Sequence, residues 1–451
     1  MTRMKKTALK LIASSCLLIS LNAHAQTDAN AINFAQALDL AILHDQDLQA
    51  AEFEYQSAVA GRGISKAALL PQLNLSAATS KIEQETENSS NPGFIPDGSV
   101  DFNSNSYKLT LSQTLYNHSL YKQLQATDMN IAAATATVEA ARQDVIVRLA
   151  TAYFNVLGAQ DNLKFANAEK ESIGKQLEQS KKRFEVGLIA ITDVKEAQAS
   201  YDTSVAQEID AQNILSAQFE ALAVILGSYT TNIAAMHEDI PLLIPQPANM
   251  TEWTDSAQEN NLALKAAKYR YKASQKQVDK DHSEHYPYLD LVANRNFNSP
   301  DGGRFTYSDS TDTTLSVQLT VPIYSGGGTS AKHKQSVALK EQARSQKEKA
   351  LRTTMQQTRD AYLGVTSTIA QVKALKQALV STQAAHEATQ AGFEVGTRTA
   401  IDVLTTLRDV FRAERDYARA RYNYVINTLR LKQAAGTLSI DEGKAINIFI
   451  Q

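Results

Sequence analysis

The sequence of 451 residues contains a single cysteine, Cys16. It lies in an amino-terminal stretch where basic residues lead into an apolar run that ends at Ala23-His24-Ala25, a small-x-small cleavage site. This order predicts a Sec signal peptide over residues 1–25. A lipoprotein signal at Cys16 is the weaker alternative, because Ala13-Ser14-Ser15 matches its consensus poorly. The mature chain would have no cysteine, which excludes disulfide bonds and thiolate chemistry.

Basic blocks and long apolar segments are also missing. The predicted mature chain carries 41 basic and 48 acidic residues, a net charge of −7, which argues against nucleic acid as a partner. No stretch after the signal approaches the roughly 20 apolar residues of a membrane helix, so any membrane insertion is expected to use β-strands. Catalytic signatures such as a serine elbow are missing too, and no enzyme activity or cofactor is expected.

The chain contains the same short phrase twice, as FEVGLIAITDV at 184–194 and FEVGTRTAIDV at 393–403. Other pairs recur at similar spacing, such as Pro71 with Pro287, 216 residues apart. Such self-similarity predicts two copies of one unit of about 200 residues. The predicted organisation is a signal peptide at 1–25, a first repeat at 26–227, a linker at 228–257, a second repeat at 258–436 and a carboxy-terminal segment at 437–451.

Proline is missing from two long segments, about 118–183 and 328–392, which are rich in good helix formers. A helix of 65 residues would be roughly 98 Å long, so we expect it to pack against similar helices as in coiled coils. Shorter helices are predicted at about 46–68, 191–226, 258–284 and 400–435.

Apolar and polar residues alternate in four segments, which predicts four strands. These strands are centred on 73–77, 107–115, 289–293 and 315–323, with turn-rich connections at 89–104 and 298–310. The predicted fold class is therefore α+β, dominated by long helices. Four strands are too few to close a sheet, since about eight are needed, so two or three chains are expected to share one sheet.

The repeated phrase lies between a long helix and the helix that follows it. Gly187 and Gly396 suit the left-handed residue that ends a helix. Thr399 and Asp402 have the Ser/Thr-x-x-acid spacing that is typical of a helix start, here that of the next helix. We therefore predict a helical hairpin turn at each copy of the phrase.

At these motifs the chain resembles the TolC-like outer-membrane efflux channels, over nearly all of the mature sequence. The resemblance is most specific at 183–194, 319–328, 392–404 and 420–438. It implies a homotrimer in which long helices form an α-barrel in the periplasm. Four strands per protomer would contribute to a shared twelve-stranded transmembrane β-barrel in the bacterial outer membrane. The linker with Trp253 and the carboxy-terminal segment would form a belt around the helices.

The resemblance also implies a function, that of a passive exit duct in tripartite efflux and type I secretion systems. Such a duct conducts drugs, toxic small molecules or exported proteins to the exterior and opens when its periplasmic helix tips untwist. The implied partners are a periplasmic adaptor, an inner-membrane efflux pump or ABC translocator, and outer-membrane lipid. The alternative is a periplasmic or secreted coiled-coil scaffold or adhesin without a pore.

The resemblance places the periplasmic aperture at Asp402 and Thr405. Three nearby copies of Asp402 would bind a cation or raise the carboxyl pKa. The family often has a second aspartate at the position of Thr405, so we expect a weaker cation block here. Otherwise no metal site is expected. His282-x-x-His285 has a spacing compatible with metal binding, but a solvated pair is the favoured interpretation.

Gate links between the two hairpins map to Thr192, Asp193, Phe393 and Arg398. The family commonly has tyrosine where Phe393 stands, so a hydroxyl latch is predicted to be absent or replaced by packing. The positions that match adaptor docking are Gly187, Leu188, Gly396 and Thr397. The alternative for Asp193 and Asp402 is a purely structural one, in which each carboxylate complements the amino-terminal end of a helix.

Overall fold

The computed structural model describes residues 31–86, 98–303 and 308–450. The predicted signal peptide and Cys16 lie outside this part of the chain, as do parts of both predicted strand connections. The described helices and strands, in chain order, are α1 Phe34–His44, α2 Gln46–Ala67, β1 Gln72–Thr86, β2 Gly98–Tyr116, α3 His118–Glu185, α4 Ile191–Leu226, α5 Met250–Asn260, α6 Leu262–Ser283, β3 Tyr288–Pro300, β4 Ser310–Thr320, α7 Gly328–Glu394, α8 Ala400–Ala435 and α9 Ile440–Ala445.

The two long helices are confirmed, since α3 has 68 residues and α7 has 67, or roughly 100 Å each. Two glycines within α3 permit close packing of its neighbours. A Cβ at Gly174 would lie 3.3 Å from the ring of Tyr201, and one at Gly158 would lie 3.7 Å from Tyr422. None of the described helices has a stretch both long and apolar enough to cross a membrane.

The short helices α1, α5 and α9 were not predicted. The first and the last of them share one feature. Each begins with a capping box, in which two residues three positions apart each accept, through the side chain, a hydrogen bond from the other residue's backbone N–H. Asn33 and Gln36 form this box in α1, and Ser439 and Glu442 form it in α9. The spacing of these residues was therefore visible in the sequence.

The four strands form one antiparallel sheet in the order β1-β2-β3-β4. Its register confirms that the alternating residues share a face, because Leu75 lies opposite Leu109 and Leu291 lies opposite Val317. The residues between them form a polar face, where the Thr110 hydroxyl donates to Asn294 Oδ1 at 2.9 Å. The apolar face is exposed in one protomer, with Leu75 73% accessible.

The predicted strand bounds were partly wrong. β1 extends to Thr86 and β2 begins at Gly98, so residues 98–104 belong to a strand and not to the predicted connection. β3 likewise reaches Pro300. At the start of β2, Val100 and Phe102 still alternate with polar residues, and Phe102 lies opposite Ile82 of β1. In the opposite sense, β4 ends at Thr320 and leaves Val321 and Ile323 outside the strand, next to Pro322, which lacks a backbone donor.

The main core surrounds the middle of α3 and the carboxy-terminal half of α8. Tyr153, near the midpoint of α3, is fully buried and donates to the carbonyls of Ile32 at 3.0 Å and Ala234 at 2.8 Å. Residues 228–249 run across this region, where the Tyr424 hydroxyl accepts from Leu243 N at 2.8 Å. Trp253 is buried and donates from its indole nitrogen to the Pro247 carbonyl at 2.8 Å.

Candidate functional site

The two hairpin turns end the long helices in the same way. Gly187 has a φ of 75° and Gly396 a φ of 81°, which confirms the predicted left-handed residues. Leu188 N donates to the Arg183 carbonyl at 2.9 Å, and Thr397 N donates to the Gly392 carbonyl at 2.8 Å. In each turn, the residue after the glycine donates to a carbonyl in the last turn of the helix, which is the Schellman motif. The conformation of both turns is therefore determined by local hydrogen bonds.

The two aspartates of the phrase, Asp193 and Asp402, lie in the first turns of α4 and α8. Thr399 N donates to Asp402 Oδ2 at 2.9 Å, and Asp402 N donates to Thr399 Oγ1 at 3.2 Å. Ala190 N donates to Asp193 Oδ2 at 3.3 Å, and Asp193 N donates to the Ala190 carbonyl at 3.2 Å, because the alanine side chain has no oxygen. Both carboxylates therefore have a capping role in one protomer.

The pKa of Asp402 lies below its ordinary value in the single protomer. Its causes are the hydrogen bonds from the Thr399 backbone and hydroxyl, with a smaller contribution from the charge of Arg398. This is opposite to the effect expected from three carboxylates in a ring. The capping bonds thus favour a charged Asp402, which is the form that attracts a cation.

The predicted adaptor-docking residues lie together at the exposed tips. Gly187, Leu188, Gly396 and Thr397 are all exposed, and a Cβ at either glycine would meet nothing within 4 Å. Two further apolar side chains accompany them at equivalent positions, Val186 and Val395, more than two-thirds exposed. Each directly precedes the glycine of the repeated phrase, in VGL at 186–188 and VGT at 395–397.

Phe393 lies at the contact between the two hairpins. It is 6% exposed and packs against Ala400 and Val403. The guanidinium carbon of Arg183, at the end of α3, lies 4.3 Å from the centre of the Phe393 ring, a cation–π contact. Arg183 belongs to the first hairpin and Phe393 to the second, so this contact joins them.

Arg183 was not predicted as a site residue, although the repeat contains a signal for it. The residue before FEVG is Arg183 in the first copy and Gly392 in the second. A Cβ at Gly392 would lie 2.8 Å from Arg398 Cγ. A side chain in the second copy would have to displace Arg398, while the first copy uses this position to reach Phe393.

The structure does not bring the other predicted gate residues into a link within one protomer. Arg398, Thr192 and Asp193 are all described, and among them there is neither a hydrogen bond between the hairpins nor an ion pair within 4 Å. The stem of Arg398 lies beside Gly392, and its charge acts on Asp402. Thr192 and Thr405 are exposed. A link through Arg398 stays a prediction for contacts between protomers.

Further from the turns, contacts between α3 and α8 hold the two hairpins together. Arg415 Nη1 on α8 lies 3.2 Å from Glu169 Oε2 on α3, and the Glu169 side chain is 4% exposed. Between this ion pair and the turns, Leu404 packs with Ile173 and Leu177. The hairpins are therefore fixed to each other along one side, and their turns lie at the free end.

The sequence profile of the family described as outer membrane efflux protein matches residues 37–228 and 253–437. The chain belongs to this family. Its relatives include the outer membrane protein TolC of Vibrio cholerae, 34% identical over 418 residues that cover 92% of this chain and 93% of that protein. The alkaline protease secretion protein AprF of Pseudomonas aeruginosa is 27% identical over 414 residues, covering 91% and 86%.

Solved outer-membrane channels share the fold of this efflux protein. The Campylobacter jejuni CmeC channel matches with a TM-score of 0.79 and 19% identity, covering 92% of this chain and 89% of that one. The Vibrio cholerae outer membrane protein VceC matches with a TM-score of 0.75 and 18% identity, covering 89% and 96%. These findings confirm the resemblance, the α+β fold class, the outer-membrane location and the function as an exit duct for efflux.

Proposed function

We propose that three copies of this chain form one closed duct, which receives cargo through a periplasmic adaptor from an inner-membrane pump or ABC translocator. The duct performs no chemistry of its own and opens when its helix tips untwist. The observation that carries the proposal is that one protomer has two unpaired sheet edges and exposed apolar side chains on its outermost helices.

The sheet of one protomer has two open edges. Among the described residues, β1 pairs with β2 alone and β4 pairs with β3 alone. Unpaired backbone groups at a sheet edge are unfavourable in lipid, and the exposed apolar face favours contact with lipid. Pairing β1 of one protomer with β4 of the next would remove every edge and give a closed sheet of twelve strands.

The helices of one protomer also form open rows. Near the sheet the row is α2-α3-α6-α7, and near the tips it is α4-α3-α8-α7. Large apolar side chains are exposed on the helices that end these rows, namely Phe53 and Ile64 on α2, Ile209 and Val224 on α4, and Leu363 and Val380 on α7. Burial of such residues is favourable, so contact between the row ends of adjacent protomers supports a closed helical wall.

The tips supply the gate in this proposal. Three copies of Asp402 would surround the aperture, with the neutral Thr405 one turn further along α8 leaving a single acidic ring. Arg398 with Thr192 or Asp193 would link adjacent hairpins, since an arginine–carboxylate pair is strong and geometrically selective. The exposed Gly187, Leu188, Gly396 and Thr397 would contact the adaptor.

The cargo follows from the relatives only as a class. The similarity to a protein named for alkaline protease secretion favours exported proteins, and membership of the outer membrane efflux protein family favours efflux systems. The segments 228–257 and 437–451 would form the belt around the duct. The core contacts of Trp253 and of Ile450 support this organisation of the chain.

Single-channel recordings in planar bilayers test the proposal together with fractionation of cells. A duct should fractionate with outer membranes and conduct ions as an oligomer. The competing scaffold would be released by osmotic shock and would give no conductance steps. Deletion of the gene, followed by tests of sensitivity to dyes, bile salts and antibiotics, would identify the cargo.

A further inference from the structure

Four of the eight histidines of the sequence lie where three helices meet the sheet. His282 and His285 lie at the end of α6, His333 lies in the second turn of α7, and His118 begins α3. The ring centres of His282 and His333 are 5.2 Å apart, and those of His282 and His285 are 6.2 Å apart. His118 contacts the cluster through Tyr286. The fold thus adds His333 to a pair that looked isolated in the sequence.

One nitrogen of this cluster lacks a partner. His333 Nδ1 is buried and has no hydrogen-bond partner, and such an atom is unfavourable unless something binds it. His282 is exposed to solvent, so one of the two rings is directly accessible to a small solute.

The distance between the two rings suits a shared metal ion. Two imidazoles that bind one tetrahedral Zn²⁺ at about 2.0–2.1 Å have ring centres about 5 Å apart, close to the 5.2 Å between His282 and His333. Within the described ranges no group of three histidine, cysteine or acidic side chains is arranged to hold a metal. The remaining coordination positions would therefore be filled by water.

The surrounding charges do not oppose a cation. Lys332 pairs with Glu284 and lies 3.7 Å from Asp281, and Lys280 lies 3.4 Å from Asp281 and 3.7 Å from Glu284. Two ammonium groups are thus balanced by two carboxylates. Neutral imidazole is a preferred ligand of Zn²⁺, Cu²⁺ and Ni²⁺, whereas Ca²⁺ and Mg²⁺ prefer oxygen.

We propose that His282 and His333 form a two-histidine site for a divalent transition-metal ion, which joins α6 to α7 where the helices meet the sheet. An ion bound to the folded chain alone would stabilise this junction by mass action. The site differs from the predicted aperture ring at Asp402, which has carboxylate ligands and lies at the opposite end of the helices.

Calorimetric titration of Zn²⁺ into the tag-free, metal-stripped full-length protein in detergent tests the proposal. We expect one saturable site per chain and a loss of affinity of tenfold or more in His282→Gln and in His333→Gln. His386→Gln is the matched control, since His386 is a half-buried histidine of the same α7 helix, and it should bind as the unaltered protein does.

Electron paramagnetic resonance of bound Cu²⁺ provides a second readout. Hyperfine coupling to two imidazole nitrogens should fall to one in either variant, with circular dichroism showing an unchanged helical content. The exposed His282 should tolerate glutamine even if His333 does not. Full affinity in both single variants, equal loss in His386→Gln, or no saturable binding by the unaltered protein would overturn the site.

Discussion

The contact between Arg183 and Phe393 predicts a measurable resistance to opening of the duct. A cation–π contact contributes about 0.5–1 kcal/mol at exposed sites and about 2 kcal/mol when desolvated. Arg183 is half-buried above a buried ring, so about 1 kcal/mol per protomer is a reasonable value. If three tips open together, about 3 kcal/mol is lost in Arg183→Ala, which shifts the ratio of open to closed forms on the order of 100-fold.

Single-channel recording in planar bilayers measures this shift as a larger conductance or a longer open time. The matched control is Lys182→Ala, because Lys182 is the adjacent basic residue but is 71% exposed and pairs with Glu178 of its own helix. Phe393→Leu should open the channel as Arg183→Ala does, and the double variant should add little to either. Unchanged conductance in Arg183→Ala, or an equal effect in the control, would refute a role of the Arg183–Phe393 contact in keeping the duct closed.

Three further predictions concern the tips and the core. Arg398→Ser should raise single-channel conductance if this residue links adjacent hairpins, and unchanged conductance would remove it from the gate. Asp402→Ala should nearly abolish block by divalent or trivalent cations, because Thr405 is already neutral; block at the original affinity would place the cation elsewhere. Asp45→Ala should lower the free energy of unfolding by about 1–3 kcal/mol, as measured by denaturation, because Arg148 donates to both carboxylate oxygens of the buried Asp45 at 2.8 Å. The loss is limited since Arg148 keeps Asp144 at 2.6 Å. Burial opposes the charged form of Asp45, but these bonds hold its pKa below the ordinary value. The stabilisation by the ion pair should therefore be complete above about pH 4 and disappear as the pH falls through the lowered pKa. An equal loss of stability in Asp45→Ala at low and at neutral pH would contradict the ion pair.

Local signals were sufficient for most of the fold. The absence of proline over 118–183 predicted α3, and the glycine and capping positions of the repeated phrase predicted both hairpin turns. The same kind of signal is present at Asn33 and Gln36, where α1 begins. These features are decided by interactions between residues at most five positions apart, which a sequence displays directly.

Contacts between distant segments could not be predicted in this way. The far ends of β1 and β2 are strands because they pair with each other, with Ile82 opposite Phe102, and the two apolar residues Val100 and Phe102 alone are too short a pattern to predict this. Arg183 meets Phe393 across 210 positions, and His333 reaches His282 only because α6 packs against α7. The sequence supplied the residue types at these sites, and the packing of the helices decided which of them meet.

Native mass spectrometry of the detergent-extracted protein tests most directly whether protomers share one wall. The open sheet edges and the exposed apolar helices at the row ends predict a single species of three mature chains, stable in mild detergent. A stable monomer that retains the helical content and the sheet would contradict the account.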